Sequence, residues 1–320
     1  MKKLNMAKWK SLRLIVILLI MTSCKTSVTK LHVDTVLLLN DFPSGSSLEY
    51  HNNRLYLTGD DALRLLILDT NYNRVDSITL FEGDESRIPK AIKADLEASA
   101  IIIYNSQPHL LLIGSASLPT REKLILIPLN DTAKPEMQST SAFFKRLPAT
   151  GVKEVNIEGA ATAGNLLVMG NRGNLSNPVN QLIFTDANFW LQQQNAAVDT
   201  TIISWPKTQT FTGISSLSYI EANDLLLFAA STELTGSSYN DGNIGDSYLG
   251  WVKDFSSKVG QKKIEADGFI NLTGIDKVFD KEKIESVCIS HSQGNTHTIH
   301  MVSDNDNGFT RLFKATLIID

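Results

Sequence analysis

A short motif recurs five times along the 320-residue chain, and in each copy an acid or hydroxyl side chain holds the same place. The copies are Gly45-Ser46-Ser47-Leu48, Leu96-Glu97-Ala98-Ser99, Ile157-Glu158-Gly159-Ala160, Ile214-Ser215-Ser216-Leu217 and Ile284-Glu285-Ser286-Val287. Each leads, a little further on, into an apolar run: Leu55-Tyr56-Leu57, Leu110-Leu111-Leu112-Ile113, Leu166-Leu167-Val168-Met169, Leu225-Leu226-Leu227-Phe228 and Ile299-His300-Met301-Val302. The repeated position advances by 51, 61, 57 and 70 residues. A repeat of this length, made of short apolar strands, describes the blade of a β-propeller.

Four strands are expected per blade. In the first copy they fall at 48–51, 54–59, 64–69 and 74–81, separated by turns such as Asn52-Asn53 that tolerate left-handed backbone angles. The second copy reads as 100–104, 109–114, 123–129 and 142–147. The segment 89–97 has some helical character and lies in the loop entering that blade. In the last copy the chain stops after three strands, and the missing one stands at the other end: residues 31–39 resemble the outer strand of the first copy. The N-terminal strand then closes the last blade and removes exposed sheet edges. The reading is an all-β, five-bladed propeller over residues 31–320. Six blades are the alternative, because 232–272 is long enough to hide extra strands; a β-sandwich fits the strand content but not the repeat.

In a closed ring the five repeated side chains, Ser46, Glu97, Glu158, Ser215 and Glu285, converge on the axis. Three carboxylates there need protons or a cation. Oxygen ligands of this kind suit a hard divalent ion, Ca²⁺ in particular, which takes six to eight of them in irregular geometry. The six histidines are scattered without the spacing of a soft-metal site.

Residues 1–23 read as a signal peptide, with Lys2, Lys3, Lys8, Lys10 and Arg13 ahead of a short apolar core from Leu14 to Met21. Met21-Thr22-Ser23-Cys24 resembles the lipobox of bacterial lipoproteins, which implies acylation of Cys24 and a short tether over 24–30. The expected location is the cell envelope, held in a bilayer and facing the periplasm from the outer membrane. No acidic run after Cys24 marks the chain for the cell surface. Without the leader the formal charge falls from −4 to about −9, which disfavours nucleic acid. Cys288 is left as the one other cysteine, in an apolar stretch that suits a buried structural thiol.

The order Ser, Glu, Glu, Ser, Glu resembles that of the calcium-activated apyrases, five-bladed propellers with a central calcium ion. Gly213-Ile214-Ser215-Ser216-Leu217-Ser218-Tyr219-Ile220 and the Ser46-Ser47-Leu48 to Asp60-Asp61 stretch carry the likeness. The Ile/Leu-Glu-Gly/Ala motif is shared more widely, with esterase-like phytase and SdiA-regulated propellers. The chain departs from the apyrase pattern in three places, one of them the closing blade, most of which comes here from the C-terminal end. Its third blade has a single arginine, Arg172, where the family has a pair with a basic insertion. Gly114-Ser115-Ala116-Ser117-Leu118-Pro119 replaces a segment rich in Glu and Trp. Phosphate chemistry needs cations to offset the transferring group, so a binding or scaffold module with a structural calcium leads over a calcium-dependent hydrolase of nucleotides or other esters. A sugar-binding propeller ranks third, given 8% aromatic residues.

A ligand face is expected where the second strands end, at Asp60, Asp61, Ser115, Asn171, Arg172, Glu233 and Asp304. There Asp60 and Arg172 are the candidate general base and anion clamp. The occupant would be a small molecule or a protein partner.

Overall fold

The computed structural model describes residues 29–130, 134–237, 242–305 and 307–320. The leader 1–23 and Cys24 lie outside them. Among the described residues the strands form five sheets arranged as the blades of a propeller.

Strand β1 (Lys30–Leu39) comes first, and blade one follows with β2 (Gly45–His51), β3 (Arg54–Gly59), β4 (Arg64–Leu68) and β5 (Arg74–Thr79). Blade two holds β6 (Leu96–Tyr104), β7 (Gln107–Gly114), β8 (Lys123–Pro128) and β9 (Glu136–Ser139). Blade three holds β10 (Ile157–Ala163), β11 (Leu166–Asn171), β12 (Asn180–Asp186) and β13 (Asp199–Ser204). Next come β14 (Thr212–Ile220), β15 (Leu225–Glu233), β16 (Ile244–Val252), β17 (Lys263–Glu265) and β18 (Gly268–Asn271). Blade five is β19 (Ile284–Gln293), β20 (Thr296–Asp304) and β21 (Thr310–Ile318), closed on its outside by β1. Lys30 pairs with Ile318 and Leu39 with Thr310, so the N-terminal strand completes the ring as the repeat predicted.

Among the described residues the long stretch before the last motif holds no sixth blade. Of its strands, β16 and β18 belong to blade four, while β17 crosses back to add a parallel fifth strand to β13 of blade three. Thr201 Oγ1 donates to the Gln261 carbonyl at 2.6 Å and fastens this crossover.

The core lies in the seams between blades. Leu111 and Ile113 of β7 pack toward blade three, while Leu110 and Leu112 pack toward blade one. In β11, Leu167 and Met169 face blade two and Val168 faces blade four. A strand sandwiched on both faces has no polar side, so it reads as an unbroken apolar run instead of an alternation. Burying one such leucine contributes about 1.5–3 kcal/mol.

One strand lies elsewhere than expected. Residues 142–147 do not form the fourth strand of blade two; they hold a single helical turn, Ser141–Phe144, and the start of a 3₁₀ turn, Leu147–Thr150. Phe143, Phe144 and Leu147 are apolar because this turn plugs the seam with blade three, where Phe143 meets Phe189 at 4.5 Å. The strand itself is β9, four mostly exposed residues on an outer edge with no apolar face to reveal them.

Candidate axial site

Each inner strand (β2, β6, β10, β14, β19) starts at one face of the ring, called upper here, and the second strand returns to that face. The pairing of the two slips by one residue in every blade: between Gly45 and Ser47, Leu96 and Ala98, Ile157 and Gly159, Ile214 and Ser216, and Ile284 and Ser286. The residue left out of the ladder is in turn Ser46, Glu97, Glu158, Ser215 and Glu285. The repeated motif is thus a β-bulge, which frees one residue from the ladder and re-aims its side chain. At Gly159, beside the third bulge, the backbone of Ser216 passes within 2.8 Å of where a Cβ would stand, so only glycine lets blade four approach.

The five side chains divide by type. Ser46 Oγ donates to the Leu96 carbonyl at 2.5 Å, and Ser215 Oγ donates to the Ile284 carbonyl at 2.7 Å. Each serine therefore clamps the next blade at the residue just before its axial glutamate. Glu97, Glu158 and Glu285, with Ser46, line a cavity of about 140 Å³ at the upper mouth.

Cations enter this cavity from positions the repeat does not mark. A turn in which Lys93 N–H donates to the Pro89 carbonyl at 3.1 Å brings Lys93 in, where its ammonium bonds Asp60 and lies 2.7 Å from Asp95 Oδ1. Arg121 Nη1 and Ser115 Oγ hold Asp95 Oδ2 at 2.6 and 2.5 Å. Arg172 lies 3.8 Å from Glu158 and 3.6 Å from Glu233, and Lys283 lies 3.1 Å from Glu233 and 2.9 Å from Glu285. Arg87 Nε donates to Asp61 Oδ2 at 2.7 Å, and Asn156 Nδ2 donates to Glu158 Oε1 at 2.7 Å.

Of the expected ligand face, Asp60, Asp61, Arg172, Glu233 and Asp304 line the cavity. Ser115 and Asn171 lie fully buried behind it: Ser115 holds Asp95, while Asn171 ties down the loop before β10 by accepting from the Asn156 N–H at 2.8 Å. Asp60 and Arg172 share the cavity, but no hydrogen bond or ion pair joins them; Asp60 is held by Lys93, and Arg172 also donates to Ser231.

Eight carboxylates and six cationic side chains line this cavity, a surplus of two negative charges in a buried space. Burial pushes Asp60 up to about 6 and Glu285 up to about 8, against the pull of Lys93 and Lys283 respectively. Glu97 rises well above the usual carboxylate range through burial and the charges of Asp95, Asp60 and Glu158. Glu233 stays below that range, because Lys283 and Arg172 outweigh its burial. Glu97 has neither hydrogen bond nor ion pair among the described residues, and Asp60 Oδ1, Asp61 Oδ1 and Glu285 Oε2 are buried without a partner. Oxygen atoms of Asp60, Asp95 and Glu97 lie within 4.8 Å of one another.

Asp95, Asn156 and Lys283 carry a sequence signal after all. Polar residues stand two places ahead of each axial glutamate, as Asp95/Glu97, Asn156/Glu158 and Lys283/Glu285.

Five blades around a charged axial cavity define the chain as a β-propeller with a polar mouth. It belongs to the family described as "Family of unknown function (DUF6929)", whose model matches residues 41–317. No curated protein sequence matches it. Among solved structures it is similar to the glutaminyl cyclase of Myxococcus xanthus, with TM-score 0.51 and 12% identity over 91% of this chain and 97% of that one. A luciferin-regenerating enzyme aligns with TM-score 0.43 and 7% identity over 88% and 95% of the two chains. At 12% identity the likeness to the cyclase is one of fold. Among the described residues no helix is long and apolar enough to cross a membrane.

Proposed function

We propose that the upper mouth binds a divalent cation, calcium by the hardness of its donors, and that the loaded mouth receives a small polar ligand. Asp60, Asp95 and Glu97 would hold the ion. Glu97 is shared with the ligand set that the repeat suggests, whereas the two axial serines spend their hydroxyl protons on clamping neighbouring blades. The donors fit a hard ion, being carboxylate oxygens without histidine or thiolate. When bound, the cation would supply positive charge for oxygen atoms of a ligand. The observation that carries this reading is Glu97, a carboxylate with no hydrogen-bond or ion-pair partner among the described residues, in a cavity whose carboxylates, Glu97 included, outnumber its cations by two.

Calcium at a hundredfold excess over Kd is expected to stabilise the protein by about 2.7 kcal/mol, read as a rise in melting temperature over a chelator control. Glu97→Gln should abolish that rise. An equal rise in wild type and variant would remove the ion from this site.

A hydrolytic role is the second reading, favoured by Asp60, whose Oδ1 is unpartnered and whose ionisation near 6 suits a general base. Turnover of nucleotides or simple esters, lost in Asp60→Asn, would establish it.

We also place the protein in the cell envelope, anchored through Cys24. β1 begins at the lower face, so an anchor ahead of it would leave the upper mouth facing the aqueous compartment. Cys24→Ser is expected to move the protein from the membrane fraction to the soluble one, as followed by fractionation and immunoblotting. An unchanged membrane fraction would count against the anchor.

A further inference from the structure

The channel has a second opening. Three residues past each bulge the inner strands bring Glu49, Ala100, Ala161, Ser218 and Cys288 to the wall of a cavity of about 350 Å³ at the lower face. Four of the five are small, and the fifth is a carboxylate that projects among them. The space is the volume that those short side chains leave unfilled.

The charges here differ from those above. No lysine or arginine among the described residues lines the lower cavity. Among the described residues Glu49 makes no ion pair, and its single hydrogen bond, received from Ser99 Oγ, is long at 3.3 Å. The walls add Tyr50 and Tyr219, whose hydroxyls are engaged elsewhere, on Asn53 Oδ1 at 2.9 Å and Asp224 Oδ1 at 2.8 Å. A half-buried carboxylate without a countercharge, set beside aromatic rings, is the chemistry that recognises ammonium groups.

We propose that the lower cavity is a second ligand site, separate from the upper mouth, that takes a small organic cation with Glu49 as its counterion. A metal ion suits it poorly, since Glu49 and Glu221, the two carboxylates on its walls, do not supply the oxygen count of a hard divalent site. Anions find no cation there. The volume lies at the small end of ligand pockets, enough for an amine-bearing metabolite.

Burial lifts the Glu49 carboxyl to about 8, which ties binding to pH. Around it stand Cys288 and His291 of β19, Tyr219 of β14, Glu221 just beyond, and Tyr50 on its own strand. The ionised form is the one that attracts a cation. Affinity should therefore be full at pH 9 and fall about tenfold for each unit below 8.

The test is calorimetric titration of the full-length protein with tetramethylammonium chloride, with tert-butanol as the uncharged isostere and sodium chloride as the ionic control. Saturable binding of tetramethylammonium alone is expected at pH 9. Glu49→Gln should weaken it at least tenfold and flatten its pH dependence, whereas Glu97→Gln should leave both unchanged. Independently of any variant, binding to the wild type at pH 7.5 should release protons, seen as a heat that varies with the ionisation enthalpy of the buffer. Equal heats for the cation and the alcohol, undiminished affinity in Glu49→Gln, or no proton release would each overturn the proposal. Loss of ammonium binding in Glu97→Gln as well would also overturn it, by assigning the cation to the upper mouth.

Discussion

A chain shortened to begin after residue 39 is expected not to fold. β1 contributes nine registered pairs to β21, and without it the outer edge of the last blade has no partner. Leu39 packs in the seam between blades five and one, joined by the partly buried Leu37, and Leu31 and Val33 reach the seam with blade four. Removing the strand therefore takes apolar surface from two seams and exposes a long edge that invites aggregation. Circular dichroism and size-exclusion chromatography would show a non-cooperative, associating chain, with a shorter deletion ending at residue 29 as the control. Adding residues 30–39 back as a peptide should recover part of the melting transition. A cooperative melt within a few degrees of wild type in the larger deletion would refute this account of closure.

The second large effect concerns pH. Glu285 and Glu49 sit near 8, Asp60 near 6, and Glu97 well above its ordinary value, all chiefly through burial. A carboxyl whose folded-state value is raised binds its proton more tightly in the folded chain than in the unfolded one. Its contribution to stability is complete below the unfolded value near 4 and is lost as pH rises through the folded one. His51, His297 and His300, whose values burial lowers, add stability as pH rises toward 6.5 and oppose the carboxyls there. With chelator present, the protein should thus lose stability between about pH 7 and 9, at about 1.4 kcal/mol for each unit of displacement per group. Several such groups make the total loss several kcal/mol. Glu233, with its value lowered, has the opposite sign, but its effect falls at more acidic pH, outside this window. Calcium should remove much of the slope, because the ion takes over the charge that the protons had covered. Glu285→Gln should flatten it in the chelated protein. Melting temperatures that stay level or climb from pH 7 to 8.5 in chelator would contradict the buried-charge picture.

What the sequence revealed, and what it hid, follows from which residues have a single physical task. The axial position was legible because every blade needs a bulge there, and a bulged residue facing a channel is free to be polar. Second strands were legible because sandwiching makes them continuously apolar. β9 was not, since an outer edge imposes no pattern, and Phe143 and Phe144 mimicked a strand while plugging a seam. The lysines escaped notice for a related reason. Lys93 comes from a connecting loop at an offset that no other blade repeats, and Lys283 shares with Asp95 and Asn156 a place two residues ahead of its glutamate but not their charge. Of the three axial carboxylates that looked uncompensated as sequence, Glu158 and Glu285 have cationic partners in Arg172 and Lys283. Glu97 alone keeps the isolation expected of it.

The three-residue strand β17 has a kinetic meaning as well as a topological one. Its chain lies between β16 and β18 of blade four, yet its hydrogen bonds belong to blade three. Neither blade can peel away without breaking the sheet of the other, which makes the pair one cooperative unit. Native-state hydrogen exchange should find the amides of β12, β13, β16 and β18 opening together, with a common dependence on denaturant. Blade two carries no such exchanged strand, so local opening of the ring should begin at its short outer strand β9.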